Sequence, residues 1–177
     1  MKRSGGNRSI HREQYSDLSR FPLIICATLV QNPTNLGGLC RTCEAFCLEA
    51  FVIADLDISQ TSVFRAVAAS AHRWQPLAVC PIDRLATWLL EQKQADYNLI
   101  ALQSSIEAKS LTQFRFPWRS ILILGQELTG IPPEILLLCD HTVAIPQFGL
   151  VESLNVQTAG SIAIYEYIKQ WQNPPHL

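Results

Sequence analysis

The sequence IPQFGLVESLNVQTAGSIAIYEYI, residues 145 to 168, passes from an apolar strand end through a polar turn into a long amphipathic segment. Apolar residues in its second half recur at helical spacing, and Ser153 and Asn155 stand where that helix is predicted to begin. Either side chain can cap a helix by accepting backbone N–H bonds. Either can also line a ligand site, because the first N–H groups of a helix have no partner within it. The stretch therefore predicts a strand, a turn and a helix, and leaves both roles open for the polar pair.

Outward from this stretch, short apolar runs alternate with helical patterns along the whole chain. Strands are predicted at residues 21–30, 50–55, 76–80, 97–103, 120–125 and 142–146, and helices at 39–48, 62–71, 83–94, after Pro132 and at the C-terminus. Residues 31–38, with one proline and two glycines, are expected to break regular structure. This alternation indicates an α/β fold, a parallel sheet with helices on both faces.

Ligands in such sheets bind beyond the carboxyl ends of the strands, in the loops that lead into helices. Three loops of this kind carry unusual polar residues, at 32–41, 125–133 and 145–155. None of them contains a P-loop, a GxGxxG fingerprint or a GxSxG elbow. The sequence therefore argues against a nucleoside triphosphatase, an ordinary dehydrogenase and a serine hydrolase.

Length and composition indicate one globular domain, since 177 residues with 48% hydrophobic content can bury a core without metals or disulfides. No apolar run is long enough to span a bilayer, and residues 1–20 lack the apolar middle of a signal peptide, so we expect a cytoplasmic protein without membrane contact. The formal net charge is −1, yet residues 1–20 hold five basic and two acidic side chains. We predict a basic arm over 1–20, able to contact phosphate or simply solvated, and one domain over 21–177.

Six cysteines in a chain without an export signal are expected to be reduced thiols. Cys40 and Cys43 form a CxxC pair, and Cys47 lies one turn further along the same predicted helix. A zinc site needs a fourth ligand at comparable spacing, and neither a cysteine nor a histidine supplies one. We therefore predict buried structural cysteines, with no metal and no redox role.

Two charged residues in these loops need an explanation. Arg41 lies near the start of its predicted helix, where a cation is unfavourable to the helix dipole. It could pair with Glu44 or Glu49, or it could contact a phosphate or ribose. Glu127 stands between apolar segments, and a buried carboxylate there needs partners, so it could brace its loop or hold a ligand.

Taken in order, the stretches NPTNLGGLCRT (32–42), LGQELTGIP (124–132) and IPQFGLVESLNVQTAGSIAIYEY (145–167) resemble the three motifs of the SpoU family. These enzymes are ribose 2′-O-methyltransferases of tRNA and rRNA within the SPOUT class. The resemblance extends from about Leu23 to Trp171. Its first motif is most similar to the branch that methylates the D-loop guanosine of tRNA, although branches acting on the wobble ribose or on rRNA share most of the same residues.

The resemblance implies a SPOUT-type fold with a C-terminal trefoil knot, S-adenosylmethionine as cofactor, RNA as substrate and a homodimer in which Arg41, held by Asn35, reaches the cofactor of the other subunit. The residues it implies for catalysis are Arg41, Asn35, Glu127, Ser153 and Asn155. Those it implies for cofactor binding are Leu102, Gly125, Ile145, Leu154 and Asn155.

Two features depart from the family pattern. The chain is slightly acidic, so its RNA affinity would depend on the arm, the dimer or a partner, and Gln147 stands where family members often have methionine, a change we expect to be tolerated. A non-catalytic RNA-binding relative and an unrelated α/β nucleotide-binding enzyme stay open as alternatives.

Overall fold

The computed structural model describes residues 19–172, which form a sheet flanked by helices. The strands are β1 Phe21–Cys26, β2 Leu48–Ile53, β3 Leu77–Val79, β4 Asn98–Leu102, β5 Lys109–Ser110, β6 Ser120–Leu124 and β7 His141–Ala144. The helices are α1 Pro33–Ala45, α2 Asp57–Gln60, α3 Ser62–Ala68, α4 Leu85–Gln94, α5 Pro133–Leu136 and α6 Val156–Trp171. The predicted arm over 1–20 lies outside the described residues except at its end, where Arg20 donates to the carbonyls of Leu48 and Trp74, at 3.1 Å each.

The seven strands form one sheet in the order β3-β2-β1-β6-β4-β7-β5, and each neighbouring pair runs parallel. Leu23 and Ile25 of β1 pack into one apolar cluster with residues of α1, α3 and α6. Ile24 and Cys26 pack into a second cluster with residues of α4 and α5. The predicted parallel sheet with helices on both faces is confirmed. Burial on both faces also explains why β1 is continuously apolar rather than alternating.

The order of the strands places the segments that follow β4, β6 and β7 side by side. Leu102, the last residue of β4, pairs with Leu124 of β6 on one side and with Val143 of β7 on the other. Because parallel strands end at the same edge of a sheet, the segments that follow β4, β6 and β7 meet there. The two-residue strand β5 was not predicted, since Lys109 and Ser110 lack an apolar pattern.

Helix α1 begins six residues earlier than predicted. Asn32 Oδ1 accepts a hydrogen bond from Thr34 N at 2.9 Å and caps the helix. Pro33 then occupies the first helical position, where its missing N–H costs nothing. The predicted break over 31–38 is therefore wrong from Pro33 onward, because proline here starts a helix instead of ending one.

Both glycines of the predicted break lie inside α1, at its contacts with other helices. A Cβ on Gly37 would lie 2.7 Å from the Phe64 carbonyl oxygen of α3, and a Cβ on Gly38 would lie 2.2 Å from Gln157 Cδ of α6. The absence of side chains lets α3 and α6 pack closely on α1, and this tertiary gain offsets the low helix propensity of glycine. The trefoil knot implied by the resemblance stays a prediction.

Within residues 19–172, no helix combines the length and the apolar character that crossing a membrane would require.

Candidate functional site

A cleft of about 530 Å³ opens at the carboxyl ends of β4, β6 and β7. This volume is typical of small-molecule sites. All five residues predicted to bind a cofactor line it, namely Leu102, Gly125, Ile145, Leu154 and Asn155. Predicted catalytic residues Glu127 and Ser153 line it as well. The residues that the resemblance implies come from three distant segments, and they meet here because the strands β4, β6 and β7 end at the same sheet edge.

Hydrogen bonds join the three polar loops at 32–41, 125–133 and 145–155 directly. Asn35 Nδ2 donates to Glu127 Oε1 at 2.8 Å, and Asn155 Nδ2 donates to Asn35 Oδ1 at 3.1 Å. Asn35 is 6% exposed and lies 92 residues from Glu127 and 120 from Asn155 along the chain. Glu127 is exposed, so the expectation of a buried carboxylate is wrong: its turn projects from the sheet, and its partner is a neutral amide. The amide of Asn35 therefore connects both loops to the start of α1.

Asn155 combines the two roles that the sequence left open. Its Oδ1 accepts from Gln157 N at 2.9 Å and from Thr158 N at 3.3 Å, which caps α6, while its Nδ2 faces Asn35. Ser153 lines the cleft but takes no part in the cap, so only one of the two capping candidates caps the helix. The cap falls to Asn155 because α6 begins at Val156.

The turn that carries Glu127 is held by its own backbone. Gln126 N donates to Gly130 O at 3.0 Å, and Gly130 N donates back to Gln126 O at 2.9 Å. A Cβ on Gly125 would lie 2.6 Å from the carbonyl carbon of Gly130, so the two backbones meet at a distance that only glycine permits. The family resemblance implies that Gly125 binds the cofactor, and the structure shows that it also lets the two backbones of this turn approach each other.

Sequence reasoning missed Gln103, which follows β4 and lines the cleft. Its backbone N donates to Val143 O at 3.0 Å, and its side-chain Oε1 accepts from Ile131 N at 2.8 Å. The available signal was its position, as the first polar residue beyond a buried strand at the binding edge.

The chemistry of the lining suits a ligand that has both an apolar part and a polar or cationic part. Apolar walls come from Leu102, Ile145 and Leu154, and Glu127 is the one charged side chain among the described lining residues. Amide and hydroxyl groups provide the rest of the polar surface. Gln147 Oε1 is buried without a hydrogen-bond partner among the described residues, which leaves one acceptor open beside the cleft.

The structure does not place Arg41 at this cleft. Arg41 lies in the second half of α1, so the expectation that it projects from the first turns, against the helix dipole, is wrong. Its side chain is exposed and forms no ion pair or hydrogen bond with residues 19–172, which removes the predicted pairing with Glu44 or Glu49 in this chain. Tyr97 donates to Glu49 instead.

The CxxC cysteines are buried in the core of the protein. Burial raises the pKa of the Cys40 thiol to about 12 and raises that of Cys43 well above its ordinary value, so neither is a ready nucleophile. Cys47 lies beyond the end of α1 rather than on it. Among residues 19–172, no three His, Cys, Asp or Glu side chains come together as a group that could hold a metal.

The family model described as SpoU rRNA Methylase family matches residues 22–165 of this chain. A tRNA (guanosine(18)-2′-O)-methyltransferase of Mus musculus is 39% identical over 148 residues, 84% of this chain and 9% of the relative. The Saccharomyces cerevisiae enzyme of the same name is 34% identical over 154 residues, 86% of this chain and 11% of the relative. The chain therefore spans about a tenth of the length of these two proteins.

The solved structure of the TrmH/SpoU tRNA-modifying enzyme of A. aeolicus has the same fold. It superposes with a TM-score of 0.72 at 27% identity, covering 85% of this chain and 76% of that one. The SpoU methyltransferase AviRb of Streptomyces viridochromogenes, in complex with the cofactor AdoMet, superposes with a TM-score of 0.69 at 21% identity, covering 83% and 56%. At that identity the second likeness shows the fold alone.

Proposed function

The chain belongs to the SpoU rRNA methylase family, and from this we propose that it transfers a methyl group from S-adenosylmethionine to a ribose 2′-hydroxyl of RNA. Guanosine 18 of the tRNA D-loop is the preferred target, because the Mus musculus and Saccharomyces cerevisiae relatives, at 39% and 34% identity, carry that activity in their names. The observation that carries the proposal is the hydrogen-bonded connection of Asn35, Glu127 and Asn155 beside one cleft.

The side chains around the cleft would align the reactants. S-adenosylmethionine supplies a methyl group whose bond to sulfur breaks as a bond to the ribose 2′-oxygen forms, so one proton must leave the hydroxyl. Leu102, Ile145 and Leu154 would pack against the adenosine. Asn35 and Asn155 hold the loops in register, while Glu127 braces its turn and lies where a cationic centre can be met.

We assign Arg41 to the cleft of a partner subunit. Its exposed position and its absence from the lining of its own cleft support an action across a homodimer. An apolar groove of about 650 Å³ along α6, which includes Phe148 (98% exposed) and Tyr165 (59% exposed), offers a surface for the second copy. Removing a proton from any guanidinium at neutral pH costs about 9 kcal/mol, so Arg41 would act in its charged form. It would hold a phosphate of the substrate and stabilise the forming alkoxide, while phosphate or water takes the proton of the 2′-hydroxyl.

Mixing two inactive variants tests this arrangement. Arg41→Ala leaves a chain with an intact cleft, and Asn155→Ala leaves one with an intact arginine. If Arg41 acts across the interface, random exchange of subunits in an equal mixture restores about one quarter of the parental activity, because half of the dimers are mixed and each has one complete site. If Arg41 acts within its own chain, the mixture stays inactive, and that result contradicts the assignment.

Transfer of labelled methyl from S-adenosylmethionine to bulk tRNA tests the activity itself. Asn155→Ala serves as the control, and absence of transfer by the parent protein would favour a non-catalytic RNA-binding relative. Mapping of 2′-O-methyl sites in tRNA and rRNA, with and without the gene, then decides the target. Equal methylation of the D-loop ribose in both samples would reject guanosine 18 and leave the wobble or rRNA ribose.

The RNA contact is proposed to involve the basic arm, since the formal net charge of the chain is −1 and phosphate neutralisation dominates RNA affinity. Action on tRNA would place the protein in the cytoplasm, as the sequence predicts.

A further inference from the structure

Gln103 is held at two points and keeps one group free. Its backbone N donates to Val143 O at 3.0 Å, which extends the pairing of β4 with β7 by one residue. Its side-chain Oε1 accepts from Ile131 N at 2.8 Å, 28 residues further along the chain. Since a backbone N–H can only donate, the side-chain carbonyl must face Ile131, and the orientation of the amide is therefore fixed.

The contact with Ile131 is needed by the turn that carries Glu127. Ile131 is 2% exposed, so its N–H would lack a partner if the side chain of Gln103 were removed. Gly130 lies directly beneath this contact with φ +70°, and a Cβ there would lie 2.8 Å from Gln103 Oε1. Glycine at position 130 thus serves in two ways: it adopts the positive φ that the turn requires, and its lack of a Cβ leaves room for the side chain of Gln103.

The Nε2 group of Gln103 has no hydrogen-bond partner among residues 19–172, although the residue lines the cleft. It is consequently a donor whose direction is already determined before a ligand arrives. The Thr129 hydroxyl, by comparison, already donates to Gln126 Oε1 at 2.8 Å. Among the described lining residues no side chain is cationic, so a ligand carboxylate entering this cleft could be met there only by neutral donors.

We propose that Gln103 Nε2 donates a hydrogen bond to the α-carboxylate of the methionine half of S-adenosylmethionine, an inference that rests on the proposed function. Gln103 would then be a specificity-determining residue with two tasks. Its carbonyl holds the Glu127 turn, and its amide nitrogen selects a ligand that carries a carboxylate. Hydrogen bonds from a fixed neutral donor to a charged acceptor are among the stronger ones.

The test compares S-adenosylhomocysteine with its decarboxylated analogue, which differs from it only in that group, by calorimetric titration of the full chain. The parent protein is expected to prefer S-adenosylhomocysteine by about 10-fold. Gln103→Glu keeps an oxygen for Ile131 N but replaces the donor with a carboxylate, so the preference should vanish or reverse. Gln103→Met removes the amide without adding charge and should abolish the preference, which keeps the test available if the charged variant does not fold.

Gln94→Glu, at an exposed position on α4, adds the same charge away from the cleft and should retain the parental preference. The inference is overturned if the parent binds both ligands equally, or if both Gln103 variants keep the parental preference. A parent protein that fails to bind S-adenosylhomocysteine at all would instead reject the proposed function.

Discussion

Asn35→Ala provides a direct test of the connection between the three loops. The substitution removes two hydrogen bonds, from Asn35 Nδ2 to Glu127 Oε1 and from Asn155 Nδ2 to Asn35 Oδ1. Glu127 and Asn155 are exposed, so water can satisfy both after the change, and the penalty for unpaired buried groups does not apply. We expect a loss of about 1 kcal/mol in the free energy of unfolding, which lowers the melting temperature by about 2–4 °C.

The substitution should also weaken ligand binding. Without Asn35, the side chain of Glu127 must be ordered when the ligand binds, at about 1 kcal/mol, whereas Asn155 is still held by its cap of α6. Affinity for S-adenosylhomocysteine should therefore fall by about 5-fold. Calorimetric titration measures this affinity, and thermal unfolding measures the stability.

Asn32→Ala is the matched control for this experiment. It removes the N-cap of the same helix, at a similar cost of about 1 kcal/mol, and touches neither Glu127 nor Asn155. The two variants should therefore melt alike and bind differently. Equal affinity of both variants for S-adenosylhomocysteine would refute the idea that Asn35 organises the cleft.

Two further predictions concern the framework that positions the cleft. Partial burial raises the pKa of Asp140, but hydrogen bonds from Lys93 Nζ and Leu99 N outweigh this effect and hold the pKa below its ordinary value. The ionised Asp140 therefore stabilises the protein above about pH 4, and this contribution is lost as the pH falls. Asp140→Asn should therefore lower the free energy of unfolding by about 0.5–1 kcal/mol at pH 7. In acid denaturation experiments, the difference in unfolding free energy between variant and parent should shrink as the pH falls. A constant difference down to about pH 2 would contradict this. Gly160→Val should destabilise the protein by about 1–3 kcal/mol in urea unfolding, because a Cβ there would lie 2.7 Å from Leu39 Cδ2, whereas Thr158→Val at an exposed position of the same helix should change little.

Much of the fold and of the cleft follows from local patterns. The apolar runs of the central strands identify a parallel sheet, because strands buried on both faces need no alternation. Loops that follow such strands must meet at one sheet edge, and this brings the predicted loops at 125–133 and 145–155 together without knowledge of any contact. The family resemblance, rather than the strand pattern, implied that Leu102 belongs with them.

Other features depend on partners that are distant in sequence, and only the tertiary structure could decide them. Gly37 and Gly38 predict an interruption of regular structure, whereas in the folded protein they lie within a helix because α3 and α6 pack against them. Asn155 caps α6 because that helix begins at the next residue. The role of Gln103 was identified only from its hydrogen bond with Ile131, 28 residues away. A sequence pattern reports which side chains are apolar and how they are spaced, whereas the contact that gives a polar side chain its role forms only after the chain has folded.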